Sequence, residues 1–215
     1  MDMLYDGHEG PLVLLAHGAG APMDSGAMNR ITSALVAAGF RVGRFEFPYM
    51  MKRRQDGRKR PPDGMKTLLR AWRDCIDQVL DACEPGERLF IGGKSMGGRM
   101  ATHILAEECP EAVAGAMVFG YPFHPPGKLD RWRIDHFPRL ERPLWIAQGE
   151  RDPFGKRQEL ADIDWGRAPV RVHWVANGDH DFLPTRRSGL DQDSLLAEAA
   201  SAAADFGQQC LEGGF

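Results

Sequence analysis

Cysteine is sparse in this 215-residue chain, and none of the four, Cys75, Cys83, Cys109 and Cys210, forms a Cys-x-x-Cys pair. The nearest two fall eight positions apart in a helical pattern, roughly 12 Å at 1.5 Å rise per residue, too far for a disulfide. Free thiols in a reducing cytosol are the expectation. Long apolar runs are also missing, since the longest, Ala112 to Tyr121, is far short of the ~18–20 residues that span a bilayer. The opening MDMLYDGHEG has neither the basic nor the apolar region of a secretory leader, so a soluble, unexported, cytoplasmic protein is expected. Positive charge is not in excess: 27 Lys and Arg stand against 30 Asp and Glu, a net charge of −3. The chain as a whole therefore makes no electrostatic case for nucleic acid or a membrane surface as partner. HExxH and related metal-ligand spacings are absent, and neither a metal nor a cofactor is expected.

What is present is enough apolar material, 43% of residues, for a well-buried core in a chain this long. The length suits a single α/β unit, and one domain over residues 1–215 is the reading. Glycine and proline cut the chain into short apolar runs alternating with longer amphipathic ones. Pro11 to Ala16 reads as a buried strand running into His17-Gly18-Ala19-Gly20. Asp24 or Ser25 can then cap a helix closed by Gly39, and Arg41 to Phe47 is a second strand stopped by Pro48. From Met65, apolar residues recur every three or four positions through Cys83, the signature of an amphipathic helix. Strands follow at Leu89–Ile91, Val113–Phe119, Leu144–Gln148 and Val170–Ala176, with helices after Gly92–Gly98, near Lys156 to Ala161 and from about Gln192 to Gln209. Strand alternating with helix implies an α/β fold, a mostly parallel six-stranded sheet with helices on both faces.

The sharpest chemical signal is Gly93-Lys94-Ser95-Met96-Gly97, a G-x-S-x-G between an expected strand and an expected helix. That context makes it a nucleophile elbow, whose strained turn lifts a serine hydroxyl above the carboxyl edge of a sheet. Gly93-Lys94-Ser95 also imitates the end of a phosphate-binding P-loop, but that motif needs glycine at position 88, where this chain has Arg88. A serine nucleophile needs a base, and on such sheets the partners follow as acid, then histidine, at later strand ends. Asp152, in Gly149-Glu-Arg-Asp-Pro-Phe-Gly155, and His180, in Gly178-Asp-His-Asp-Phe182, occupy those places. Glu150 is the rival acid, nearer its strand end, while Asp179 and Asp181 read as loop hydrogen-bonders. His17, at the end of the first strand, is expected to prop a turn. Two backbone N–H donors should stabilise the tetrahedral anion of acyl transfer, each worth ~3 kcal/mol: Met96, and from the glycine turn Ala19 or, second, Gly20.

These residues carry a family resemblance. HGAG at 17–20, RFEFPYM at 44–50, GGKSMGG at 92–98, GYPFHPPGK at 120–128, QGERDPFG at 148–155 and GDHDF at 178–182 resemble the small α/β-hydrolase-like proteins of the KANL/Tex group, related to dienelactone hydrolase-like enzymes. The resemblance implies an α/β-hydrolase fold without a cap domain, with Ser95, Asp152 and His180 as the triad. It also covers members regarded chiefly as scaffold subunits, so a catalytically silent interaction module is the alternative to a serine esterase.

Two segments bear on the substrate, expected to be a small carboxylic ester, thioester or lactone. Between Gly120 and Arg142 the chain is too short and proline-rich to build a lid, so the site should be open or covered by one loop. Tyr121 and His124 there are candidate substrate contacts, as is Gly20, and His136 is a further one. Met51 to Arg60 carries Lys52, Arg53, Arg54, Arg58, Lys59 and Arg60 against Asp56 alone. It reads as a solvated loop, or as a surface whose Arg53 and Arg54 attract an anionic substrate or an acidic partner.

Overall fold

The computed structural model describes residues 2–84, 86–107 and 109–214. Its centre is one sheet of seven strands in the order β1-β3-β2-β4-β5-β6-β7: β1 (Met3–Asp6), β2 (Leu12–Ala16), β3 (Arg41–Phe45), β4 (Leu89–Lys94), β5 (Val113–Phe119), β6 (Leu144–Gly149) and β7 (Val170–Val175). Every pairing is parallel except β1 with β3, which is antiparallel with Met3 opposite Phe45 and Asp6 opposite Val42. The sheet thus has one strand more than the six expected. The addition is β1, whose Leu4 and Tyr5 are exposed. An edge strand of four residues carries no hydrophobic period, and only its backbone pairing to β3 defines it.

Alternating side chains of each strand feed two opposite cores. Leu12, Leu14 and Ala16 face one with Phe45, Trp72, Ile76, Ile91, Met100 and Ile104, under α3 (Met65–Leu80) and α4 (Met96–Leu105). Val13 and Leu15 face the other with Ile31, Leu35, Phe90, Met117, Trp145 and Phe206, under α1 (Gly26–Ala37) and α6 (Gln192–Glu212). Ser25 caps α1, accepting from the Met28 N–H, and Asp191 caps α6 through the Ser194 N–H, as short polar caps do. A single turn, α5 (Arg157–Leu160), follows β6.

The basic stretch read as a solvated loop is for the most part helical. Pro48, which ends the β3 segment, is also the first residue of α2 (Pro48–Asp56), and Gly57 closes it at φ 71°. Proline at a helix start and left-handed glycine at its end are the ordinary signals, here hidden behind the charge run. Strands β2 and β4 lie side by side, with Ala16 opposite Gly93, yet β3 lies beyond β2 on one side and β5 beyond β4 on the other. The loops leaving β2 and β4 therefore diverge, and the crevice between them is where open α/β sheets hold ligands. Among the described residues no helix is long and apolar enough to cross a membrane.

Candidate active site

At the carboxyl end of β4 the chain turns directly into α4, with Ser95 between them at φ 51° and ψ −114°. That is a conformation L-residues rarely adopt, and holding it costs of order ~1–3 kcal/mol. Glycines make the turn feasible. A Cβ on Gly93, whose φ is 144°, would stand 2.1 Å from the Ala16 carbonyl oxygen, and one on Gly97 would stand 2.4 Å from the same atom. The Ser95 N–H is committed to the Phe119 carbonyl at 3.0 Å.

Above Ser95 lies a chain of hydrogen bonds assembled from three strand ends. Ser95 Oγ is 3.0 Å from His180 Nε2, and His180 Nδ1 is 2.7 Å from Asp152 Oδ2. Asp152 is fully buried, and it is Asp152 rather than Glu150 that meets the imidazole; Glu150 accepts from the Asn177 N–H instead. Two further donors hold the Asp152 carboxylate: the Phe154 N–H reaches Oδ1 at 2.8 Å and Gln148 Nε2 reaches Oδ2 at 2.9 Å. With both oxygens engaged, the carboxylate has little freedom to rotate and holds the proton-bearing Nδ1 of His180 toward itself.

Gln148 was not singled out from the sequence. Buried at the end of β6, it also accepts from the Tyr121 N–H at 2.8 Å and donates to the Gly155 carbonyl at 3.2 Å, locking together the loops after β5 and β6. Its signal was available, as a lone amide closing the apolar run Leu144-Trp-Ile-Ala. Phe154, another residue not foreseen, lays its ring 4.4 Å from that of His180.

His17 is buried below the glycine turn. Its Nε2 accepts from the Phe47 N–H at 3.1 Å, so Nδ1 carries the proton and donates to the Gly18 carbonyl at 2.7 Å. Burial pushes its pKa down, keeping the ring neutral in this bridging role. Beyond it a cleft of about 300 Å³ opens, lined by Gly18, Ala19, Gly20, Ser95, His180 and Asp181 among others. Met96 begins α4, where an N–H has no acceptor within the helix. Among the described residues, no group of three His, Cys, Asp or Glu side chains stands close enough to hold a metal ion.

The other expected substrate contacts are placed differently. Tyr121 is fully buried, its hydroxyl donating to the Arg133 carbonyl at 2.7 Å. His124 is 1% exposed, between the Pro125 carbonyl and the Glu159 carboxylate. His136 is likewise buried, 2.8 Å from Thr102 Oγ1. Aromatic packing closes this segment on itself, so its polar atoms are spent inside the protein. Arg54 forks onto the buried carboxylate of Glu46 and onto Asp24, while Arg53 donates to the Gly20 carbonyl at 3.0 Å. Arg54 is thus paired with carboxylates away from the cleft, whereas Arg53 is held by the carbonyl of the cleft-lining Gly20.

The chain belongs to the alpha/beta hydrolase domain family, whose model matches residues 9–208. Solved structures similar in fold include Est1E from Butyrivibrio proteoclasticus with ferulic acid bound, at TM-score 0.70 and 12% identity over 98% of this chain and 95% of that one. Dienelactone hydrolase from Anabaena variabilis matches at TM-score 0.69 and 19% identity over 96% and 89%. A monoacylglycerol lipase from Paleococcus ferrophilus matches at TM-score 0.64 and 16% identity over 96% and 98%.

Proposed function

We propose that this protein is a serine hydrolase of the esterase type, cleaving a small carboxylic ester, thioester or lactone through an acyl-enzyme on Ser95. The observation that carries the reading is the continuous link from buried Asp152 through His180 to Ser95 Oγ, at 2.7 and 3.0 Å. In this mechanism His180 Nε2 takes the hydroxyl proton as Ser95 attacks the acyl carbon, and Asp152 holds the ring and stabilises the imidazolium. The N–H groups of Ala19 and Met96 receive the developing oxyanion. Protonated His180 then returns the proton to the leaving alkoxide or thiolate. Water, activated by the same nitrogen, hydrolyses the acyl-enzyme and frees Ser95.

Gly20 lies on the substrate side of the cleft, where the lack of a side chain leaves room for an acyl or alcohol group. A cleft of about 300 Å³ suits a small molecule, and short acyl chains are the preferred substrates because an open site has few walls to reward added methylenes. Within the family we assign the chain to the KANL/Tex group, on the motifs quoted above. We place it in the cytoplasm, where its four unpaired cysteines remain reduced.

Labelling with a fluorophosphonate tests the reading. The folded wild-type protein should be labelled at Ser95, and Ser95→Ala should not. A folded wild type that neither labels nor hydrolyses short esters would favour a silent interaction module on the same fold.

A further inference from the structure

The geometry points to Lys94 as a positioning residue that ties the segment carrying His180 to the strand carrying Ser95, an inference that rests on the hydrolase reading above. Lys94 is the residue between Gly93 and Ser95, and its side chain is only 7% exposed. Its ammonium donates to the main-chain carbonyl of His180 at 2.6 Å and lies 3.2 Å from Asp181 Oδ1. The Phe182 ring stands 5.9 Å from the same nitrogen. One side chain adjacent to the hydroxyl-bearing residue therefore grips three consecutive residues of the loop that supplies the imidazole.

Burying an ammonium is costly unless it is paired and hydrogen-bonded, and an apolar side chain would fill the same space at lower cost. Burial draws the Lys94 pKa below the ordinary lysine value, while the carboxylates of Asp181, Asp152 and Asp179 oppose that shift. Gly120, at φ 68°, lies directly beneath the contact: a Cβ there would stand 3.0 Å from the His180 carbonyl oxygen, 3.2 Å from Lys94 Nζ and 3.3 Å from His180 Nδ1.

The rest of the loop leaves Lys94 a distinct task. Asp179 Oδ1 accepts from the N–H groups of Asp181 and Leu183, and Gln192 holds the Asp181 carbonyl. Phe182 is buried against Phe119 at a φ of 62°. These contacts shape the turn, but none reaches β4. The Lys94 bond does, and it sets the His180 backbone relative to Ser95, so that the 3.0 Å approach of Nε2 to Oγ is maintained without substrate.

The test compares wild type, Lys94→Met, Lys94→Arg and Lys94→Gln by fluorophosphonate labelling rate, short-ester kinetics, thermal melting and hydrogen exchange of residues 177–183. Lys94→Met should keep a cooperative melt, yet label and turn over ~10- to 100-fold more slowly. KM should stay within about twofold, and exchange in the His180 loop should rise. Lys94→Arg, which keeps a cationic donor, should recover part of the loss. Should Lys94→Met fail to fold, Lys94→Gln decides: its amide is one atom too short to keep the bond to the His180 carbonyl, so labelling should slow and loop exchange rise, and an unchanged rate and exchange overturn the inference. So does a folded Lys94→Met with wild-type labelling and loop exchange. If wild type itself is not labelled, the hydrolase reading falls, and loop exchange alone then judges the Lys94 tie.

Discussion

The connections leaving β2 and β5 flank the elbow and behave in opposite ways. The first begins Gly18-Ala-Gly-Ala21, and these small residues keep a surface turned toward the cleft. The second, from Tyr121 to Leu140, folds its aromatics inward, with Tyr121 4.7 Å from Phe123 and 5.3 Å from Phe137 by ring centroids. Both carry residues that look chemically able when read along the chain. Only the one with a run of small residues leaves space for a ligand, and the other is part of the wall. Polar chemistry in a segment therefore says little about function until it is known whether the neighbouring rings bury it.

Substitutions at the relay should separate the two connections most strongly. Ser95→Ala or His180→Ala should lower short-ester turnover by about 10⁴-fold or more, with the double variant no worse than either alone because the residues act as a unit. Multiplying effects in that double variant would break the assignment. On the sealed side, Phe123→Ala should cost ~3–5 kcal/mol of stability by urea unfolding, and Tyr121→Phe about 1 kcal/mol with KM unchanged. A raised KM in Tyr121→Phe without loss of stability would show that the wall touches substrate after all.

Acid should loosen the sealed side. His103 and His136 stack with ring centroids 3.7 Å apart, and burial, with Arg99 and Arg139 nearby, holds their pKa values down to about 4 and about 3. Both are neutral when folded but bind protons near pH ~6.5 when unfolded. Their contribution to stability is thus fully present above that pH and is lost progressively as pH falls toward their folded values. The urea midpoint should decline over that range, and His136→Gln should flatten the decline. The smallest effect belongs to Arg53→Gln, expected within about 0.5 kcal/mol in stability and about twofold in KM for any ester. A larger KM change confined to carboxylate-bearing esters would restore the basic segment as a substrate-steering surface.

Much of this was legible along the chain because it is encoded locally. The apolar runs of β2, β4, β5 and β6 and the three-to-four spacing of α3 are short-range patterns, and each reflects burial on a sheet or helix face. The elbow was readable because a strained turn demands glycines at fixed offsets from the serine. Asp152 and His180 followed from their places just past strand ends. The boundaries of α2 were less visible, since its start doubles as the end of β3 and its charges read as loop.

What the linear order of residues could specify was therefore the set of elements and the strand ends where chemistry would gather. Folding alone decided β1, which exists only by pairing with β3, and the partners of long polar side chains. Lys94 at the His180 carbonyl and Arg54 at Asp24 are joined across 86 and 30 positions, the first linking the end of β4 to the loop after β7. Such bonds depend on where a flexible side chain finds a desolvated acceptor, and that position exists only once the strands stand side by side.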